Sequence, residues 1–421
     1  MEHLSFLARN VRFLSFGFLT AFFSSVGQTY YIAVFGPSIR EEFGLSHGDF
    51  GGLYAIGTTV SALCLVWAGR LIDSLDLRLF TALTALCLIA ASMLMSFVDG
   101  VVLLAVALFT LRFSGQGLMS HTAMTTMGRY FDRERGRAVA IALLGFPAGV
   151  ALFPAMGLVL IDEFDWRGAW RFVAVALALG LLPLLLWLLR GHGERHRAHM
   201  VQLREDEGGG EGAARRRPQR QWSRGEVLRD PRFYLLAFAT TCSSFVGTGY
   251  FFHHTVIADA KGWSAGLMAS AFVAYTAGNI AANLATGPSI DRWSARVLMP
   301  VFLLPMGLAS VVLAMADEPV YAIVAWLLLG ITGGVGQTLL GAIWAELYGV
   351  VSLGGIKAIV TALGVLASAG SPLVFGLLFD WNVSTEAIAW GSAGYIMLAS
   401  VSAYVATRWR SQDKNQPRGT P

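Results

Sequence analysis

The sequence predicts an all-α membrane protein, with 12 transmembrane helices in two six-helix bundles related by pseudo-two-fold symmetry. Three observations carry that expectation. Only 14% of the 421 residues are charged, against ~25% in a typical soluble domain, and 55% are hydrophobic, for a mean hydropathy of +0.59. The apolar residues gather into twelve runs of roughly 20, each long enough to cross a ~30 Å hydrocarbon core as a helix. The stretch from Gly44 to Asp73 also recurs in the second half at one fixed offset.

The runs lie near residues 12–35, 51–71, 79–98, 101–127, 137–160, 169–190, 233–257, 265–287, 297–316, 319–343, 355–379 and 387–407. None alternates apolar and polar residues as a barrel strand must, so helices are left to satisfy the backbone in lipid. The first run is longer than a signal-peptide core and has no small-residue cleavage pattern after it, which makes it a retained helix. Between the sixth and seventh runs lies "EDEGGGEGAARRRPQR", Gly-rich, mixed in charge and without apolar periodicity. The expected organisation is therefore a bundle over 1–190, a cytoplasmic linker over 191–231, a second bundle over 232–408 and a cytoplasmic tail over 409–421. Cys64, Cys87 and Cys242 all fall inside apolar runs without metal-like spacing and read as small core residues.

Charge sets the orientation. With both termini in the cytoplasm, the external segments hold only Arg40, Arg167, Arg171 and Lys261. Arg112 lies within a span, and every other Lys and Arg faces the cytoplasm. That is the asymmetry of the positive-inside rule, and it predicts a multi-pass protein of the cell membrane, inner or plasma. The net charge of +4 follows from this topology and gives no reason to expect a nucleic-acid partner. The expected partners are the bilayer and a small-molecule substrate, bound by a monomer.

The internal repeat is specific. One offset superposes Gly44 on Gly262, Ser46 on Ser264, Gly48 on Gly266, Thr58 on Thr276, Gly69 on Gly287, Ile72 on Ile290 and Asp73 on Asp291. Parallel six-helix repeats are a transporter architecture, with the substrate site between the halves near midplane.

Here the chain resembles a known family. "GRLIDSLDLR", between the second and third runs, looks like the signature loop of the major facilitator superfamily, and "GPSIDRWSAR" repeats it. "LRFSGQG" resembles that superfamily's fourth-span motif, "GRYFDRERGRA" the loop after it, and "GFPAG" and "SAGSP" its fifth and eleventh spans. "FFHH…KGWS" and "AELYG…GGIKA…FGLLFD" look most like the monocarboxylate-porter branch and its bacterial organic-anion relatives. The resemblance implies gating by Gly69, Asp73, Arg78, Gly287, Asp291 and Arg296, with Asp73 and Asp291 each pairing to Arg129 or Arg133 in one conformation. Members of that branch carry an acid and an arginine in span eight where this chain has Asn279 and Asn283, a departure that weakens the expectation of lactate-like proton symport.

Arg112 is the least expected residue of the spans. It lies ~18 Å by helix rise from the end of its span, too deep to snorkel readily. It reads as the anchor for an anionic substrate group, as a proton-coupling residue, or as a structural arginine bonded to carbonyls of span one. Gln116 and Met119 share its face. Gln28, Tyr31, Thr248 and Tyr250 lie on spans one and seven, which line the cavity in this superfamily, so they join Gln116, Asn279 and Asn283 as substrate-binding candidates. Gln337 and Trp344 are further candidates. His121, His253 and His254 are possible proton-coupling groups, or histidines bonded to neighbouring helices and interfacial water.

Catalytic chemistry finds no footing. None of the three lysines is followed by Ser or Thr, so no phosphate-binding loop exists, and no metal or cofactor motif is present. A secondary carrier remains. No Asp or Glu falls inside a span, which favours an anionic or neutral solute over a cation. The expected function is transport of a small organic anion such as a monocarboxylate by alternating access, with proton coupling open. Alternatives are a carrier for a neutral metabolite or vitamin, a broad efflux pump, and, more remotely, a sensor that binds without turnover.

Overall fold

The computed structural model describes residues 2–131, 134–194, 222–349 and 352–409. Most of the linker, the tail and the gating candidate Arg133 lie outside the described residues. Every regular element among the described residues is helical. Nine helices are long and apolar enough to cross a bilayer, or ten if the bent pair Arg9–Val34 and Gly36–Phe43 counts as one span.

Three departures from straight helices reconcile that number with twelve apolar runs. The first span changes to a 3₁₀ turn at Ser24–Gly27, passes through extended Gln28 (ψ 155°), and bends by 61° before Gly36–Phe43. The helical stretch Gly136–Glu194 is two spans joined at Asp165, whose φ of 60° and ψ of 174° no helix contains. The Asp165 carboxylate accepts the Gly168 amide (2.8 Å) and so caps the sixth span. Phe153 and Trp170, on either side of this break, both pack on Tyr31. The ninth span holds only the twelve-residue helix Leu304–Met315, preceded by the short helix Ala295–Leu298.

The surface has the polarity that lipid demands. Leu63, Val102, Leu179, Leu284 and Leu398 are exposed on spans, whereas the Arg112 side chain is fully buried. Exposed tryptophans form two belts. Trp67, Trp187, Trp293 and Trp409 ring the end of the bundle that carries the termini, and Trp381 and Trp390 ring the far end.

The halves meet most tightly at the far end, with a further bond nearer midplane from the Thr276 hydroxyl to the Pro147 carbonyl (2.8 Å). The second span (His47–Ala68) crosses the eleventh (Leu353–Asp380) backbone to backbone. A Cβ on Gly51 would stand 2.3 Å from the Pro372 carbonyl oxygen, and one on Gly376 would stand 2.4 Å from that of His47. At the same place the Asp380 carboxylate accepts the backbone N–H groups of His47 (2.9 Å) and Gly48 (2.8 Å). A carboxylate on a helix N-terminus meets unpaired donors and the positive end of the helix dipole. Phe50 and Tyr54 complete the seal against Phe252.

A second far-end contact stays within the N-terminal half. Glu42, on the bent helix Gly36–Phe43, pairs with Arg167 and accepts the Trp166 indole N–H (2.7 Å). Arg167 holds the Glu42 carboxyl below its ordinary value of 4.5. Stabilisation of this sign is complete above the unfolded value and disappears as pH falls through the folded one. Glu42→Gln is therefore expected to lower the melting temperature at neutral pH by roughly 1–3 °C, with the difference closing as pH drops below the ordinary carboxylate range. A melting series of both proteins from pH 7 to pH 3 checks this.

Candidate functional site

On the terminal side of the seal the halves part around a cavity of about 580 Å³. Its wall is built from hydroxyls and amides at helical spacing: Thr58 and Gln116 from one half, Thr240, Ser244, Thr248, Gln337, Thr361 and Ser368 from the other. Trp344 and Met124 supply apolar surface, and Lys357 supplies a cation. No carboxylate is among the described lining residues. A neighbouring cavity of about 440 Å³ enters the C-terminal half beside Tyr275, and a third of about 360 Å³ separates the fifth and eighth spans. Gln337 borders all three.

Of the substrate candidates, four reach these cavities. Thr248 lines two and shares a hydrogen bond with Ser368 (2.8 Å). Gln116 lines the largest. Asn279 and Asn283 line the third, where Asn283 donates to Gln337 Oε1 (3.1 Å) and Gln337 donates to Asn279 Oδ1 (3.5 Å). That amide ladder joins spans eight and ten.

The other four stand elsewhere. Tyr31 is fully buried among Phe35, Phe153 and Trp170. Tyr250 is buried too and donates to Ser310 (2.9 Å), a bond between spans seven and nine within one half. Both tyrosines are core residues because their helices turn these faces into their own bundle. Gln28 sits half-buried at the break of span one and borders none of the three cavities.

Arg112 does not reach the cavity either. Its Nη1 donates to the Gly27 carbonyl (2.9 Å), its Nε donates to Thr58 Oγ1 (3.1 Å), and its guanidinium lies 4.9 Å from the Tyr54 ring centre. Backbone groups released by a broken span must find partners inside the protein, because lipid offers none. The break in span one at Gly27–Gln28 frees a carbonyl, and Arg112 supplies the donor. Its own span is distorted to match. Residues Arg112–Met119 form a π-helix packed on the 3₁₀ turn, and a Cβ on Gly115 would stand 2.6 Å from Gly27 Cα.

The signature loop is assembled within one half. Arg129 pairs with Asp73 and donates to the Ile72 carbonyl (3.1 Å), while Arg78 donates to the Leu189 carbonyl (2.9 Å) at the end of span six. His121 is within hydrogen-bonding distance of the Gly69 carbonyl (3.0 Å), so it braces this loop and lies away from the cavity. The second copy is wired differently. Arg296 pairs with Glu346 (3.2 Å), Asp291 is exposed with no ion pair among the described residues, and Gly287 has open space beside it. His253 and His254 are buried at the far end, bonded to the carbonyls of Pro372 (2.9 Å) and Phe251 (2.9 Å). They are not the interfacial, water-exposed groups that sequence position alone suggests.

Among the lining residues that escaped sequence reasoning, Lys357 and Thr58 matter most. Lys357, in the "GGIKA" stretch, is the cavity's cation, and a lone lysine near a span end in a chain with three lysines was the available signal. Thr58 carried the signal of the repeat, as the counterpart of Thr276, but nothing local marked it as a wall residue.

A family model described as the Major Facilitator Superfamily matches residues 17–272 and again 251–420. Among curated relatives, the oxalate:formate antiporter of Oxalobacter formigenes is 24% identical over 223 residues, 52% of this chain and 49% of that protein. The gallate transporter of Pseudomonas putida is 30% identical over 162 residues, 38% of this chain and 36% of its own length. Human monocarboxylate transporter 12 is 23% identical over 180 residues, 42% and 35% respectively. The matched chain thus spans half or less of each of these relatives. In three dimensions it is similar to a bacterial homolog of the human lysosomal transporter Spinster in an inward-facing, occupied conformation. The TM-score is 0.71 over 96% of this chain and 98% of that one, and at 14% identity the likeness speaks for the fold alone. Two family-model matches that together run from the first span to the tail agree with the repeat and with the twelve apolar runs, and by them the chain belongs to the Major Facilitator Superfamily.

Proposed function

We propose that the chain is a secondary carrier that moves a small organic anion, with monocarboxylates the foremost class, across the cell membrane by alternating access. The observation that carries this reading is the 580 Å³ cavity between the halves, with Lys357, hydroxyls and amides in its wall and no carboxylate among the described lining residues. A carboxylate entering it meets donors and one cation, whereas a cationic solute meets no counter-charge. Relatives named for oxalate and formate, gallate and monocarboxylates support the same class. With the termini in the cytoplasm, as the charge asymmetry favours, this cavity faces inward and the Gly51–Pro372 seal faces outward. The domain limits proposed are those of the repeat, 1–190 and 232–408, with 191–231 as the connection.

A neutral metabolite is the second reading, favoured by the Asn279–Gln337–Asn283 amide ladder. Uptake by proteoliposomes separates the two. Radiolabelled benzoate and lactate should accumulate, more so with a proton gradient if transport is coupled, and Lys357→Gln should reduce uptake about tenfold to a hundredfold, the loss of one charge-assisted bond. Accumulation of neutral amides alone, unchanged by Lys357→Gln, would overturn the anion reading.

A further inference from the structure

Thr58 is where the buried charge of Arg112 meets the cavity. Threonines inside helices commonly return their O–H to the carbonyl four residues back, as Thr20, Thr122 and Thr286 do in this protein. Thr58 does not. Its oxygen accepts the Arg112 Nε–H at 3.1 Å, and its hydroxyl proton has no acceptor among the described residues. Its side chain borders the 580 Å³ cavity. Gln116, one turn beyond Arg112, borders the same space.

The chemistry of this pair is directional. A hydroxyl that accepts from a guanidinium keeps its own proton free to donate, and hydrogen bonding to a cation strengthens that donation. No carboxylate among the described residues bonds or pairs with Arg112, so its charge rests on neutral partners in a low-dielectric setting and its field extends through Thr58 into the cavity. Asp or Glu near the guanidinium would cancel that field.

We propose that Thr58 is an anion-binding donor of the N-terminal wall, giving its O–H to a substrate carboxylate, and that Arg112 is the positioning residue that orients and polarises it without touching substrate. The proposal rests on the organic-anion reading above and assigns that reading a second binding point, across the cavity from Lys357. It also gives the fully buried Arg112 a way to influence binding without lining the cavity.

The test is binding of benzoate and of its neutral analogue benzamide to the purified full-length protein, by isothermal titration. Thr58→Val keeps the shape and removes the hydroxyl; Thr58→Ser keeps the hydroxyl. Thr58→Val is expected to weaken benzoate about tenfold while leaving benzamide within about threefold, and Thr58→Ser is expected to retain benzoate binding. If Arg112 acts through Thr58, the losses from Arg112→Gln and Thr58→Val will not add in the double variant. Additive losses would assign Arg112 an independent action and overturn its positioning role. Wild-type benzoate affinity in Thr58→Val, with Lys357→Gln still impaired, would overturn the proposal and leave the anion reading standing. Equal wild-type affinity for benzoate and benzamide, or binding of neither, would overturn both. The Thr58 variants decide the donor role even if Arg112→Gln fails to fold.

Discussion

Gly51→Leu is expected to abolish transport and to hold the far end of the molecule open. The Cβ would stand 2.3 Å from the Pro372 carbonyl oxygen and 2.6 Å from its carbon, atoms of another helix backbone that cannot rotate aside. Spans two and eleven must therefore separate. That separation also removes the Asp380 acceptor from the His47 and Gly48 amides and opens the Phe50–Phe252 contact. Overpacking of this kind costs at least ~1–3 kcal/mol, a population change of about fivefold to 150-fold. Because the clash lies between the halves, each half keeps its own core and the protein should still purify. Spin labels at the far ends of spans two and eleven would report the change as a longer distance, with Asp380→Asn giving a smaller shift in the same direction. Unchanged distances together with intact transport would refute the prediction.

Gly27→Leu is expected to fail earlier, at folding. Here the close approach is inside the N-terminal half. A Cβ on Gly27 would stand 2.2 Å from the Leu111 carbonyl oxygen and 2.8 Å from Gly115 Cα. Forcing spans one and four apart moves the Gly27 carbonyl off Arg112 and leaves a buried guanidinium with less to bond. Breaking the partner of a buried charge costs about 3–5 kcal/mol, a large part of a domain's net stability. The outcome to look for is loss of monodisperse protein, or a collapsed melting temperature where any survives. Gly52→Ala is the control, since its Cβ would meet only the tip of Leu373 at an ordinary 3.5 Å. Equal yield and melting for Gly27→Leu and wild type would show that the crossing tolerates a side chain.

Much of this architecture was legible in the sequence because lipid constrains composition more tightly than water does. Apolar runs of fixed length, loop charges and a repeat at one offset define twelve spans without any packing detail. The broken spans were not legible, since they arise from pairing between segments. The 3₁₀ turn at Ser24–Gly27 and the π-helix at Arg112–Met119 make sense only against each other. The same limit explains the site. Arg112 was conspicuous by its charge, but which neighbour takes that charge depends on a helix 54 residues earlier, at Thr58. Tyr31 and Tyr250 lay on plausible spans and turn into the bundle cores, because a helix has two polar faces to choose from and the sequence does not say which one meets the partner half.

The wiring of the ion pairs has a further consequence. Asp73–Arg129 and Glu42–Arg167 lie within the N-terminal half, and Asp230–Arg232, Lys261–Asp317, Lys261–Glu386 and Arg296–Glu346 lie within the C-terminal half. What joins the halves at the far end is glycine contact, aromatic packing and a carboxylate held by backbone amides. Dissolved salt screens exposed opposite charges and leaves such contacts nearly untouched. On the alternating-access reading, ionic strength is expected to act on the balance between the two faces only through longer-range attractions across the seal, such as that of Arg40 for Asp380.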